Sequence, residues 1–308
     1  MCNLVKQISF IFFCFCCLCI TPTAADPQLV IGFPEDNMSN DWRAAQMNEI
    51  EKALLPYTNI RFLMADAAGS IAKNILDIEE MVDQGVQLLF LGPKNPEALK
   101  PVIGQLRKKG IYIVLLTRKL SNDDYDVFIS PNDVRIAHDA AQFMARHIGA
   151  RGRILMLEGV PTTTTAQDRR RGFVTAIEQF EAIEIVSRVA NYSRADAIAA
   201  VEKLLKQGEK FDAIYAHNDA MAAGARFALQ RAGIDPASIP TVGIDFLPEA
   251  REAILKGEQL ASFTYPTCGK MGVDVALKLL QGKKVPRYIE VSSQLVTRKN
   301  VNNISTAY

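Results

Sequence analysis

Between residues 28 and 290 the chain seldom sets two strands side by side in sequence without a helix between them. Short apolar runs rich in β-branched and aromatic residues fall at 28–33, 60–65, 86–91, 111–117 and 128–129, with helical stretches at 42–55, 71–84, 96–109 and 133–148. The pattern then starts again, with strands at 153–158, 183–190, 211–215, 241–244 and 260–264 and helices at 168–180, 194–207, 220–232, 247–256 and 268–280. A strand reached through a helix cannot fold back as a hairpin, so it runs parallel to its predecessor. The expected fold class is α/β, with parallel sheets in two similar lobes that divide near residue 130. Residues 288–296 alternate loosely and read as a last strand. No low-complexity linker separates the lobes, and short crossings between them suit a hinge.

The first residues stand outside this pattern. Residues 1–25 carry one charge, Lys6, then an apolar run over 8–20 and the small-residue site Thr23-Ala24-Ala25. This predicts a cleaved secretory signal peptide, too short in its apolar part to span a bilayer. A mature chain beginning near Asp26 holds 34 basic and 34 acidic residues. That balance argues against nucleic acid or an anionic membrane surface as the main partner. Cys2, Cys14, Cys16, Cys17 and Cys19 fall in the leader, leaving Cys268 alone. No internal disulfide or cysteine-rich metal site is then available. Lipid attachment at Cys19 is a minor alternative, because Leu18 is not the small residue that usually precedes a lipidated cysteine.

In an open parallel sheet, ligands lie outside the carboxyl ends of the strands. The strand at 211–215 ends in His217-Asn218-Asp219, where Asn218 can donate and accept and Asp219 reads as a helix N-cap. The bland reading is that these three only end a strand and start a helix. After the first strand come Asn40, Asp41, Trp42 and Arg43; Trp42 is the only tryptophan. Its face suits the C–H face of a sugar ring, and its alternative role is to staple a helix to the core. Other strand ends supply Thr117 and Arg118, the run Thr162-Thr163-Thr164-Thr165, Tyr192 and Asp245. Arg169 lies one turn before Phe173 on an apolar helix face, whereas Arg170 and Arg171 point to solvent. Aromatics, arginines, an amide and a carboxylate form the mixture that a polyol needs, since each hydroxyl both donates and accepts. The mixture is not a catalytic one. The three histidines form no Ser–His–Asp order or zinc spacing, and neither Gly-x-Gly-x-x-Gly nor a phosphate-binding loop is present. No enzyme activity, cofactor or metal is expected.

The segments Trp42-Arg43-Ala44-Ala45, Asp168-Arg169-Arg170-Arg171-Gly172-Phe173, Tyr215-Ala216-His217-Asn218-Asp219-Ala220-Met221 and Gly243-Ile244-Asp245 together resemble the periplasmic sugar-binding proteins of the ribose-binding and galactofuranose-binding family. The galactofuranose-binding type is the nearest likeness. The resemblance implies a type I periplasmic binding fold: two Rossmann-like lobes, a three-segment hinge and a sugar in the cleft. On that pattern the first lobe takes residues 26–130 and 264–290, and the second takes 131–263 and 291–308. Trp42 resembles the family's ring-stacking aromatic, and Arg43, Arg118, Arg169, Asn218 and Asp245 its hydrogen-bonding groups. Tyr192 falls where the family often has a second aromatic wall. One departure stands out: the family's Asp-Arg after the fourth strand is Thr117-Arg118 here. Either the ligand differs from galactofuranose, or Asp41 or Glu35 supplies the missing acceptor. The resemblance implies a monomeric periplasmic receptor that hands a sugar to the membrane permease of an ABC transporter, or else presents it to a sensor kinase or chemoreceptor.

Overall fold

The computed structural model describes residues 28–308, so the leader and its five cysteines lie outside the described residues. The first half runs β1 (Leu29–Glu35), α1 (Asp41–Leu54), β2 (Ile60–Asp66), α2 (Ile71–Asp83), β3 (Leu88–Leu91), α3 (Pro96–Lys108), β4 (Tyr112–Leu116), β5 (Val127–Ser130) and α4 (Asp133–His147). The second runs β6 (Gly152–Glu158), α5 (Thr164–Ile177), β7 (Ile183–Val189), α6 (Arg194–Lys206), β8 (Ala213–Ala216), α7 (Asp219–Arg231), β9 (Thr241–Asp245), α8 (Pro248–Lys256), β10 (Ala261–Thr264), α9 (Gly269–Leu280), β11 (Tyr288–Glu290) and β12 (Leu295–Thr297).

These strands build two six-stranded sheets with matching order, β11-β5-β4-β3-β1-β2 and β12-β10-β9-β8-β6-β7. Every pairing in the first is parallel. In the second only β12 runs antiparallel, against β10. The chain is thus an α/β fold of two Rossmann-like lobes. Helices cover both faces of each sheet, which is why the central strands read as unbroken apolar runs. All four residues of β3 and of β8 are buried. Val30 and Ile31, neighbours on β1, enter the two cores on opposite faces of the first sheet. In the second sheet Ile214 and Tyr215 divide in the same way.

The predicted last strand at 288–296 is two strands: β11 pairs with β5 in the first sheet, and β12 pairs with β10 in the second. Residues 291–294 between them belong to neither sheet. The chain therefore passes between sheets after β5, after β10 and after β11, and α9 packs against α1. A second difference lies at α5, expected from residue 168 but beginning at Thr164, because the Thr163 hydroxyl accepts from the Ala166 amide and caps it there.

Candidate functional site

A cavity of about 400 Å³ lies between the lobes, lined by Asn40, Trp42, Arg43, Thr117 and Arg118 from one side and Arg169, Tyr192, Asn218 and Asp245 from the other. The structure brings all nine sequence-predicted residues together. Each follows the carboxyl end of a strand or sits in the first turns of the next helix.

On the first lobe, Asn40 caps α1, its Oδ1 accepting from the amides of Trp42 at 2.9 Å and Arg43 at 3.4 Å. That cap fixes the two residues that turn toward the cavity. The Trp42 indole is 6% exposed and donates its N–H to the Tyr265 carbonyl at 3.0 Å. Trp42 thus staples α1 to the crossing after β10 and also lines the cavity. The Arg43 guanidinium lies 5.2 Å from the Trp42 ring centre and donates to Gln46 Oε1 at 2.7 Å. Gly92 makes room for it, since a Cβ there would come within 2.8 Å of Arg43 Nη1.

The Thr117 hydroxyl donates to the Leu116 carbonyl at 2.7 Å. Its φ of 63° is a left-handed conformation that a branched residue disfavours. The kink aims Arg118 at Asp36, with Nη1 3.0 Å from the carboxylate. Asp36 is the acid that pairs with Arg118. Asp41 is exposed at the cavity rim, and Glu35 is buried beneath, 3.8 Å from Arg43 Nη1 with neither oxygen hydrogen-bonded. Burial pushes the Glu35 carboxyl up to about 7; Arg43 opposes the shift and Asp36 adds to it.

On the second lobe, Arg169 is 2% exposed and held at three points. Its Nε donates to Asp133 Oδ1 at 2.7 Å, Nη1 donates to the His217 carbonyl, and the Tyr265 ring lies 4.5 Å away. Asp133 also accepts from the Tyr265 hydroxyl at 2.9 Å. Burial pushes the Asp133 carboxyl up to about 6, against the opposing pull of Arg169 and the Tyr265 hydroxyl. Tyr192 follows Asn191 in a left-handed pair, with φ of 60° and 53°. The turn lays the Tyr192 ring over Gly159, where any Cβ would occupy the ring's space.

Asn218, not Asp219, caps α7: its Oδ1 accepts from the Met221 amide at 3.0 Å. Its amide nitrogen donates to the Tyr192 carbonyl at 3.5 Å, which leaves one N–H for the cavity. Asp219 sits behind and accepts from Ser262 Oγ, from Gln259 Nε2 at 2.8 Å and from the Leu247 amide at 3.2 Å. It thereby ties β10 to the turn that follows Asp245, the last residue of β9. Asp245 is 5% exposed, with φ of 112°, and its side chain has no hydrogen-bond partner among the described residues. Burial raises its pKa well above the ordinary carboxylate value, although Arg169 opposes this. His217 takes no part in the cavity wall. Its Nδ1 accepts from the Gly159 amide at 3.2 Å, and burial holds it neutral.

Asp36, Asp133 and Tyr265 are not among the sequence-predicted site residues. Tyr265 follows the end of β10 by one residue, so the strand-end rule points to it. Asp133 is visible only as the partner of Arg169. Among the described residues no group of three or more histidine, cysteine, aspartate or glutamate side chains could hold a metal. The cavity as built can hydrogen-bond a small polar molecule from two sides, with Trp42, Tyr192 and Tyr265 in its wall.

The sequence pattern described as "Periplasmic binding protein domain" matches residues 31–284. The chain belongs to that family. The ribose import binding protein RbsB of Bacillus subtilis (strain 168) is 26% identical over 275 residues, covering 88% of this chain and 88% of that protein. The galactofuranose-binding protein YtfQ of Escherichia coli (strain K12) is 26% identical over 243 residues, 76% of each. Among solved structures, the fructose binding periplasmic domain of the hybrid two component system BT1754 superposes with a TM-score of 0.84 at 28% identity, over 89% of this chain and 92% of that one. The type I periplasmic binding fold accounts for the two lobes and their matching strand orders, and members of this family are periplasmic proteins that bind sugars.

Proposed function

We propose that this chain captures a monosaccharide or related small polyol in the cavity between its lobes, without chemical conversion, and delivers it as a monomer to an ABC importer in the periplasm. Asp245 carries the reading. Its side chain lines the cavity with no hydrogen-bond partner among the described residues, in the field of the Arg169 guanidinium that Asp133 fixes, and so is left for a donor from the ligand. A ring hydroxyl would supply that donor. Trp42 and Tyr192 supply faces for the ring, and Arg43, Arg118 and Asn218 supply further donors. The volume lies in the range of small-molecule sites. The ligands named for the relatives are sugars, which supports the same class here.

Thermal unfolding across a panel of pentoses, hexoses, polyols and sugar acids tests this reading. At least one sugar or polyol should raise the midpoint in a saturable way. A panel without any effect, together with a non-carbohydrate molecule co-purifying with the protein, would overturn the reading. A sensory role is the second reading, favoured by the likeness to a hybrid two component system. Neighbouring genes for a transporter ATPase and permease support import; a neighbouring kinase gene supports sensing.

A further inference from the structure

The four consecutive threonines at 162–165 sit between β6 and α5, on the second lobe's lip of the cavity. Thr163 serves its own helix, donating to the Val160 carbonyl at 2.8 Å and accepting from the Ala166 amide at 3.2 Å. The other three hydroxyls all cross to the first lobe. Thr162 Oγ1 donates to the Lys94 carbonyl at 2.7 Å, and Thr165 Oγ1 donates to the Thr117 carbonyl at 2.9 Å. Thr164 Oγ1 accepts from the Lys119 amide at 2.9 Å. Their partners are main-chain atoms of the two loops that follow β3 and β4. Those loops also hold Arg118, whose Nη1 donates to the Gly92 carbonyl at 3.2 Å. The left-handed turn at Thr117 faces its hydroxyl back to Leu116 and leaves its carbonyl for Thr165.

We propose that Thr162, Thr164 and Thr165 form a latch that holds the two lobes shut and slows release of whatever lies between them. Thr162 and Thr164 line no part of the cavity, and Thr165 gives its hydroxyl to Thr117 rather than to the space inside. The latch therefore acts on closure and not on ligand choice. Bonds that exist only in the closed state shift the equilibrium toward it. A ligand leaving a closed cleft must wait for opening, whereas one arriving at an open cleft need not, so the latch acts on the off-rate. On this account position 117 became a lobe-to-lobe contact. The consequence for ligand release rests on the functional reading above; the latch itself does not.

Amide hydrogen exchange separates the two. In a Thr162→Ala/Thr165→Ala variant the Lys119 amide keeps its own partner, Thr164. Faster exchange there reports lobe opening rather than the loss of its bond. The expected result is roughly tenfold faster exchange at Lys119, reversed in Thr162→Ser/Thr165→Ser, which restores both donors. Unchanged exchange at Lys119 in the alanine variant, with the fold intact by circular dichroism, would overturn the latch. Stopped-flow Trp42 fluorescence with D-ribose, D-fructose and myo-inositol gives the second arm. A sugar that binds should leave the alanine variant faster, with the rank order of the three kept. An altered rank order would place the threonines in ligand contact and overturn their role as a latch. Failure of all three to bind counts against the functional reading, while the Lys119 result still decides the latch.

Discussion

Single side chains set the electrostatics beneath the cavity. Glu35, Asp133 and Asp219 are all held above their ordinary carboxyl values by burial, Glu35 to about 7 and the other two to about 6. A raised carboxyl pKa means that the native state binds the proton more tightly than the unfolded chain does. The stabilisation is then complete below the unfolded values of 4.5 and 3.8 and disappears as pH rises through 6 to 7. Ligand-free protein should have a higher unfolding midpoint at about pH 5 than at about pH 8. Glu35→Gln should shrink that difference by raising the midpoint on the alkaline side. Scanning calorimetry at the two pH values checks both statements; a midpoint that rises with pH would contradict them. Thr117 offers a second test at this scale. Asparagine tolerates the left-handed region better than a branched residue, so Thr117→Asn should keep binding and raise stability by about 0.5–1 kcal/mol. A large loss of affinity in calorimetric titration would mean that the hydroxyl turns to the ligand after all. Most of the cavity wall was legible in the sequence because one rule, the carboxyl ends of parallel strands, gathers it. The carboxylate beside Arg118 was not, because a 117–118 neighbour in sequence and Asp36, 82 residues away, are equivalent to a guanidinium. The cap of α7 was misread for a related reason: Asn218 and Asp219 are both good caps, and the pull of Ser262, Gln259 and Leu247 on Asp219 is invisible without the fold.

At the scale of elements, α4 and α5 pack at very short range. A Cβ at Gly172 would run into the Val134 carbonyl of α4. The same approach brings Asp133 at the start of α4 to Arg169 on α5. Gly172→Ala should push the helices apart, cost about 1–3 kcal/mol by overpacking and loosen the ion pair that aims Arg169. Stability and affinity should fall together, measured by urea unfolding and titration on one preparation. Full affinity in the destabilised variant would separate Arg169 from this packing. The strands and helices themselves were easy to place, since a covered parallel strand is a short apolar run and a covering helix has its own period. Ends were harder. The segment at 288–296 alternates like one strand, but β11 and β12 belong to different sheets, and only the third passage between lobes explains why.

For the whole molecule, the arrangement only makes sense if the lobes move. On the proposed reading, a ligand held by Trp42 and Arg118 on one side and Arg169 and Asp245 on the other requires the lobes to part and then close around it. Small-angle scattering should show a smaller radius of gyration at saturating ligand than in its absence. The strand order repeated in both sheets explains why two lobes were expected, and the three passages between them supply the hinge that such closure requires. The most direct test of the account compares one residue from each lobe with one outside the cavity. Arg170 lies on α5 beside Arg169 but pairs with Glu158 at the surface. Isothermal titration of the sugar selected by the thermal panel should show Arg118→Ala and Asp245→Ala each binding about tenfold or more weakly, as loss of a buried hydrogen-bond partner requires, with Arg170→Ala unchanged. Equal affinity in all three variants would place the ligand outside the cleft.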